Sequence, residues 1–514
     1  MPRRASSGRS REEDEVVADI GSEVRKTTSL IGCNYLCRMK AIWSRQALAV
    51  FLTAAVFYLI NFAVSEGFNG GADSITHYQI SKYSWEHDYL LIDQWGKPVF
   101  TILFSPVAQL GFKAVVLANI ALVFLGAFWA MGIARDLRMK RPWLVALVVL
   151  WLPVVAGNSI AALTEMICSL FLIYYLRMAL KERFILGGIV LGFMPFARSE
   201  GFVILALVLL FYAFTARWRY MPWLLVGSLV FNTLGYFITG KALWIFQSNP
   251  YVNTTFDMYG HGTFYHFFQY AVPLFGIAYV LWLLQTVREV PMALQIWKSR
   301  DWSLHDQVWI WLIAGSAWGY FLAHTVLWWQ GMWASLGLGR VMFVIAVPIA
   351  LMSVKGLEWL LERLAGMTQR VVLAAVIMLV IAGPFVVRMF SFQEIMIFPA
   401  LGEEEKQNAR AAEYLQANCK PEETKFFTAH PYLNLLLDVD PFDTRKIENL
   451  DKVNNAVTGD VIVWDGHFGP NEMKLPKEQL ESDSSLMLLQ VIQPETLFYT
   501  LNNYLYEIRI YQKQ

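Results

Sequence analysis

Charge is what this chain is short of. Of 514 residues only 16% are Asp, Glu, Lys or Arg, against about 25% in soluble globular domains. Apolar residues make up 56% and gather in long runs, which excludes an ordinary water-soluble enzyme and indicates a polytopic α-helical membrane protein. The formal net charge of +1 supplies no electrostatic footprint for nucleic acid. Cysteine is equally sparse: Cys33 and Cys37 precede the first apolar run, Cys168 lies inside one and Cys419 stands alone near the C-terminus. That spacing gives no zinc site and no disulfide framework. Cys33 and Cys37 share a helical face, yet a palmitoylation or metal role is the weaker reading. Residues 1–43 lack an apolar core followed by a small-residue cleavage site, so they are expected to be a disordered cytoplasmic tail ahead of an uncleaved anchor.

Apolar runs at 46–64, 113–134, 142–156, 159–177, 184–197, 200–216, 221–239, 267–286, 307–326, 338–354 and 371–389 predict about eleven transmembrane helices. Basic residues fall in alternate loops: Arg135, Arg138, Lys140 and Arg141, then Arg177, Lys181 and Arg183, and onward to Lys355, Arg363 and Arg370. The positive-inside rule makes those loops and the N-terminus cytoplasmic. Residues 67–106 and the C-terminal part then face outward.

Residues 67–106 concentrate charge and aromatic rings as no other near-membrane stretch does, with Asp73, His77, Lys82, Glu86, His87, Asp88, Asp93 and Lys97. Gly70 and Gly71 permit a tight turn, after which 72–91 has helical spacing. Ile75, Tyr78, Lys82, Trp85 and Tyr89 fall on one face, and Ser74, His77, Ser81, Ser84 and Asp88 on the other, as in an amphipathic helix at the membrane interface. Asp73 stands where a carboxylate either caps the first free N–H groups or does chemistry, and the residues alone leave both open. Trp95-Gly96-Lys97-Pro98 forms a turn that returns the chain to the bilayer.

With the orientation fixed, Lys82, Lys97, Lys113, Arg198, Lys241 and Arg340 are outer-side cations in loops otherwise poor in basic residues. Several converging there would bind an anion, and a lipid-linked phosphate is the natural anion at that depth. Arg198 and Arg340, beside glycines in short turns, rank first, followed by Lys97 and Lys241. Glu165 lies within a predicted span, where a carboxylate is costly and marks function by default; a site-organising role or a pair with Arg198 is expected. The outer loop 240–266, with Tyr259 and His261, and the Trp328-Trp329-Gln330-Gly331-Met332-Trp333 rim suit a sugar- and isoprenoid-lined wall or an aromatic belt.

From about residue 392 the pattern changes. A helix over 403–417 and strands at 425–429, 460–464, 486–492 and 504–512 predict a small α/β domain of its own. The domain plan is thus a tail at 1–43, a membrane domain at 44–391 and an outer α/β domain at 392–514. Its Asp438-Val439-Asp440-Pro441 and Asp465-Gly466-His467 turns read first as solvated loops and second as metal or ligand contacts.

An acid in the first outer loop, an interface helix, a Gly-Lys-Pro turn before the second span, the Thr164-Glu165 pair and the Arg198-Ser199-Glu200-Gly201 turn together resemble the GT-C superfamily of integral-membrane glycosyltransferases. Protein O-mannosyltransferases and bacterial aminoarabinose transferases belong to it. The resemblance spans about residues 46–390. It implies a membrane transferase that moves a sugar, such as a hexosyl or mannosyl group, from a polyprenyl-phosphate donor to an acceptor hydroxyl on protein, lipid or glycan. The family often carries a second acid next to the first, whereas Asp73 is followed by Ser74 and Ile75. A metal site built from paired acids is therefore not expected, and no cofactor is called for. Asp73 is the candidate base, with Asp88, Glu86 and Glu165 as secondary acids. Arg340, Arg198, Lys97 and Lys241 are candidates for the donor phosphate, where charge grows in the transition state. His77, His87, Tyr259 and His261 are candidates for sugar or acceptor. A single displacement predicts inversion at the anomeric carbon, and a bacterial inner membrane with an outer, periplasmic C-terminal domain is the expected setting. The competing readings are a transporter or flippase of lipid-linked sugars, which would place its charges nearer the midplane, and a polysaccharide polymerase or ligase.

Overall fold

A computed structural model describes residues 44–249, 260–299, 302–333, 335–390, 395–421 and 423–514. The N-terminal tail with Cys33 and Cys37, and Tyr259, lie outside the described residues. Packing divides the chain into Met1–Thr53 and Ala54–Gln514. Of the first unit only the start of helix α1 (Arg45–Val64) is described, and every later element belongs to the second.

Among the described residues seven helices are long and apolar enough to cross a membrane: Arg45–Val64, Phe112–Asp136, Trp218–Thr239, Ile277–Gln295, Leu304–Trp329, Gly339–Leu361 and Gly366–Met389. The chain is an integral membrane protein. Of four shorter apolar helices, Pro142–Trp151, Phe184–Phe196 and Gly201–Phe214 fill the remaining predicted runs apart from 159–177, whereas Pro98–Ala108 lies in none of them. The run expected at 142–156 is broken where Pro153 starts a second short helix, Pro153–Gly157, since proline cannot donate to the turn before it. Gly339–Leu361 is 94% buried and Gly366–Met389 only 17%, so the helix carrying Arg340 runs through the centre of the bundle.

Two boundaries that position the site differ from those the spacing predicts. The helix expected over 72–91 is α2 (Gly71–Tyr83), followed by a turn and a 3-10 segment at Asp88–Ile92. Within its last turns the Ser81 and Ser84 hydroxyls donate to the carbonyls of His77 and Ser81, and such back-bonding weakens a helix end. α2 does not lie on a surface with one face wet: Ser74, His77 and Ser81 are buried as fully as Ile75 and Tyr78. Its start is set by Gly70 at φ 85 rather than by a side-chain cap, a backbone conformation open to glycine at little cost.

The second difference concerns Glu165. The span expected from Asn158 begins instead at Glu165, as helix α3 (Glu165–Leu180). The buried backbone ahead of it finds side-chain partners from elsewhere. Asn69 donates to the Gly157 carbonyl, and the Asn69 N–H donates to Ile160. Asn119 donates to Ala161 and Leu163, while the Ala162 N–H donates to the Ser74 hydroxyl. Buried N–H and C=O groups must be paired, and polar side chains fixed on other elements do it here without a helix.

The C-terminal sheet has the order β2-β1-β3-β5-β4, from β1 (Phe426–Phe427), β2 (Ile447–Glu448), β3 (Val461–Asp465), β4 (Leu486–Ile492) and β5 (Ile508–Lys513). β1 pairs in parallel with β2 and β3, whereas β5 pairs antiparallel with β3 and β4. β2, two residues long, has no alternation by which to read it from sequence. Period-two burial gives the sheet two cores: Phe426, Val461 and Val463 on one face, Phe427, Ile462 and Trp464 on the other. Before Gly315–Trp329, named α4, the helix loosens to π geometry over Val308–Ala314. Helix α5 (Glu403–Asn418) covers the first sheet face through Ala411, Ala412 and Leu415. Short helix α6 (Pro431–Leu436) packs on α2, where Gln79 donates to the Pro431 carbonyl at 3.1 Å.

Candidate active site

At the amino end of α2, Asp73 meets Arg340. The Arg340 guanidinium spends all three nitrogens: Nη2 on the Asp73 carboxylate, Nη1 on the Gly70 carbonyl at 3.3 Å, and Nε facing Glu165 Oε1 at 3.4 Å. Glu165, fully buried at the start of α3, also faces Arg198 Nη1 at 2.7 Å. That nitrogen donates to Thr164 Oγ1 at 3.1 Å, and Arg198 Nη2 reaches Glu200 at 2.5 Å. A chain of charge thus runs Asp73–Arg340–Glu165–Arg198–Glu200. The N-cap reading of Asp73 is set aside, because its carboxylate goes to Arg340 and Gly70 is the cap residue.

Lys97 stands beside this chain, 6% exposed, donating to the Gln94 carbonyl at 3.0 Å and Ser199 Oγ at 3.3 Å. Its φ of 64 is a strained value for a residue with a side chain, held between Gly96 and Pro98. His77 is buried, stacks on Trp95 at 4.9 Å and keeps an Nδ1 without a hydrogen bond among the described residues. Burial pushes His77 down to about 3; Asp73 opposes that and Lys97, Arg198 and Arg340 add to it. The ring is neutral at ordinary pH. Asp73 is pushed up by burial, but the Arg340 guanidinium outweighs this and holds the carboxyl below its usual range.

The other predicted residues go elsewhere. Glu86 and Asp88 are exposed past the end of α2 and share none of these contacts. His87 Nε2 lies 2.7 Å from Asp440 in the C-terminal domain, and Lys82 lies 3.2 Å from Asp438. Lys241 is exposed and donates to Ser248 at 3.1 Å. His261 is exposed, with Nδ1 3.3 Å from the Gly262 carbonyl. Two residues on α4 come into the cluster without having been foreseen: His324, 4% exposed, and Tyr320, fully buried, their rings 4.4 Å apart. Both feel the charges of Glu200 and Arg198, and His324 Nε2 and the Tyr320 hydroxyl have no hydrogen-bond partner among the described residues. An ionisable side chain inside an apolar run was the signal for His324. No group of three or more His, Cys, Asp or Glu among the described residues is arranged to hold a metal ion.

The fold occurs in known structures. ArnT from Cupriavidus metallidurans superposes on 90% of this chain and 97% of its own, at 12% identity and TM-score 0.58. The fold is that of the GT-C glycosyltransferases. A second structure of the same protein, bound to undecaprenyl phosphate, matches at TM-score 0.53 and 11% identity over the same shares. The Archaeoglobus fulgidus oligosaccharyltransferase, tethered to an acceptor peptide, matches this chain at TM-score 0.50 and 11% identity, over 82% of it and 69% of the archaeal protein. No protein-family model and no curated protein sequence matches, so the likeness is one of fold.

Proposed function

We propose that this chain is a membrane glycosyltransferase that moves a sugar from a polyprenyl-phosphate carrier to an acceptor hydroxyl on the outer, periplasmic face of a bacterial inner membrane. The reading rests on one observation: a carboxylate and a guanidinium paired at the mouth of a buried, charge-balanced chain. The carboxylates Asp73, Glu165 and Glu200 are matched by Arg198, Arg340 and Lys97. A phosphate arriving at such a balanced group competes for a cation already in use. Arg340 is the one shared with the 41% exposed Asp73 side chain, so it is the cation most readily recruited.

In the reaction, the acceptor oxygen forms a bond to the anomeric carbon as the carbon–oxygen bond to phosphate breaks, and that electron pair leaves on the phosphate. The acceptor proton passes to Asp73, whose basicity rises once Arg340 turns to the phosphate. Arg340, Arg198 and Lys97 then stabilise charge that is greater in the transition state than in the ground state. Glu165 organises the two guanidinium groups. In-line displacement inverts the anomeric centre. The tail at 1–43 is cytoplasmic in this reading and residues 392–514 form the outer domain. Fold neighbours that hold undecaprenyl phosphate in one case and an acceptor peptide in another support a lipid-phosphate donor and an external acceptor.

Radiolabelled polyprenyl-phosphate sugars offered to the purified protein, with and without chelator, test this. Transfer or slow donor hydrolysis is expected from the wild type and is expected to vanish in Asp73→Asn. Donor bound and never consumed would defeat the reading.

A further inference from the structure

The C-terminal domain holds a second polar centre that the displacement at Asp73 leaves unused. β1 lies between β2 and β3, parallel to both, so the chain leaves β1 first to one side of the sheet and then to the other. At such a switch point the loops part and leave a crevice outside the carboxyl ends of the strands. Those ends carry Thr428 and His430 after β1, and Asp465 and His467 at and after β3. Alternation along the strands puts Thr428 on the face of Phe426, and Asp465 on the face of Val461 and Val463. This is the face covered by α5.

Glu404, in the first turn of α5, closes the crevice. Its Oε2 lies 2.8 Å from His467 Nδ1 and 3.8 Å from His430 Nε2. His430 Nδ1 accepts the Tyr432 N–H, which puts the His430 proton on Nε2, towards Glu404. Asp465 Oδ1 accepts the N–H groups of His467 and Phe468 at 2.9 and 2.8 Å. Two oxygens are left over: Thr428 Oγ1 and Asp465 Oδ2 have no hydrogen bond among the described residues, in side chains of residues 1% and 2% exposed.

The crevice borders the candidate active site. His430 is the N-cap of α6, the helix packed on α2. Glu472, beyond β3, feels the charge of Asp73 as well as those of His467, Asp465 and His430. The group is rich in acceptors and poor in free donors, which suits a ligand that donates several hydrogen bonds. We propose that this crevice is an acceptor subsite, in which Thr428, Asp465, Glu404 and Glu472 take hydrogen bonds from a hydroxyl-rich saccharide and set one of its hydroxyls before Asp73. The last step alone rests on the transferase reading.

The test titrates the full chain in detergent with methyl glycosides of common hexoses, pentoses and N-acetylhexosamines, followed by saturation-transfer NMR. Wild type, Thr428→Val and Asp465→Asn are compared, with melting temperatures alongside. At least one glycoside is expected to bind the wild type and to weaken about tenfold in each variant, as expected for a lost buried hydrogen bond, without a matching fall in melting temperature. Equal binding by all three proteins, or no glycoside bound by the wild type, overturns the subsite. Should Asp465→Asn fail to fold, Thr428→Val decides alone, because it keeps the shape and removes only the hydroxyl. Glycosides held at the crevice by a protein that consumes no lipid-phosphate donor would remove the transferase reading and leave the subsite standing.

Discussion

α2 is held by ion pairs at both ends, and the two sets differ in kind. At its amino end Asp73 joins the buried chain through Arg340, Glu165 and Arg198. At its carboxyl end and just beyond, Lys82–Asp438 and His87–Asp440 fasten it to the C-terminal domain with partners from 21% to 86% exposed. Buried charges are stable only while every partner is present, whereas exposed pairs contribute little because water competes for both ions. At the amino end the buried members, Glu165 and Arg198, are therefore intolerant of change, while the Asp73–Arg340 pair stands at the exposed margin. The carboxyl end is a soft fastening that lets the domain and the helix adjust.

Breaking the buried set gives the largest effects. Glu165→Gln leaves two guanidinium groups sharing less than their charge and is expected to destabilise the protein by about 3–5 kcal/mol, read by denaturant or thermal melting in detergent. A loss under about 1 kcal/mol would mean that water reaches this chain and that the contrast fails. Asp73→Asn sits at the exposed margin of the same chain. It is expected to cost about 10²–10⁴ in turnover with little change in melting, and the two readouts together separate chemistry from scaffolding.

The seam between the backbone at Gly67 and Gly157 and the strap that follows the last span comes next. At Gly157 a Cβ would collide with the Ile395 backbone carbonyl, and at Gly67 with that of Ala400. Gly157→Ala is expected to cost about 1–3 kcal/mol, whereas Gly71→Ala, with open space around it, meets no such clash and pays only for its positive φ.

Smaller still is the imidazole–carboxylate pair at the crevice. Burial lowers His467, but Glu404 and Asp465 outweigh it and hold the imidazole above its usual value. Glu404 is raised by burial and brought down to about 2 by His430 and His467. A raised histidine stabilises the folded state most below its unfolded value near 6.5, and that part is lost as the pH climbs through the folded value. The Glu404 part is present above about 4.3 and is lost as the pH falls towards 2. Melting of wild type against His467→Gln from pH 5 to 9 is expected to show a gap of about 1 kcal/mol that closes on the alkaline side. A gap independent of pH would assign the pair to packing. Lys82→Ala stands last, at about 0.2–1 kcal/mol and reduced further by salt.

Much of the architecture was legible because bilayer spans announce themselves by length and apolarity, and because strands such as β4 read as short apolar runs between turn residues. Asp73, Arg198 and Arg340 were legible as charges beside glycine turns in a chain that has few charges. Their pairing was not: a sequence places a charge at a depth but does not say which distant charge meets it. Nor were the end of α2 at Tyr83 and the start of α3 at Glu165, which are decided by Ser81, Ser84, Asn69 and Asn119 bonding to backbone. His324 was missed although it is an ionisable side chain inside the apolar run 307–326, the same signal that singled out Glu165.

The strap residues Met396, Pro399 and Phe398 bond to Asn69, Gly67 and Asn61, and this bears on synthesis. The pairs that complete α2 are separated by 267 residues for Arg340–Asp73, 327 for Met396–Asn69 and 356 for Asp438–Lys82. The helix that carries the candidate base emerges among the first segments and waits for nearly all the rest of the chain before its partners exist. Contacts so distant in sequence are closed late. A chain released before its last hundred residues would thus keep the Arg340 and strap contacts at the amino end of α2 and lose those that Pro431, Asp438 and Asp440 make with the rest of the helix.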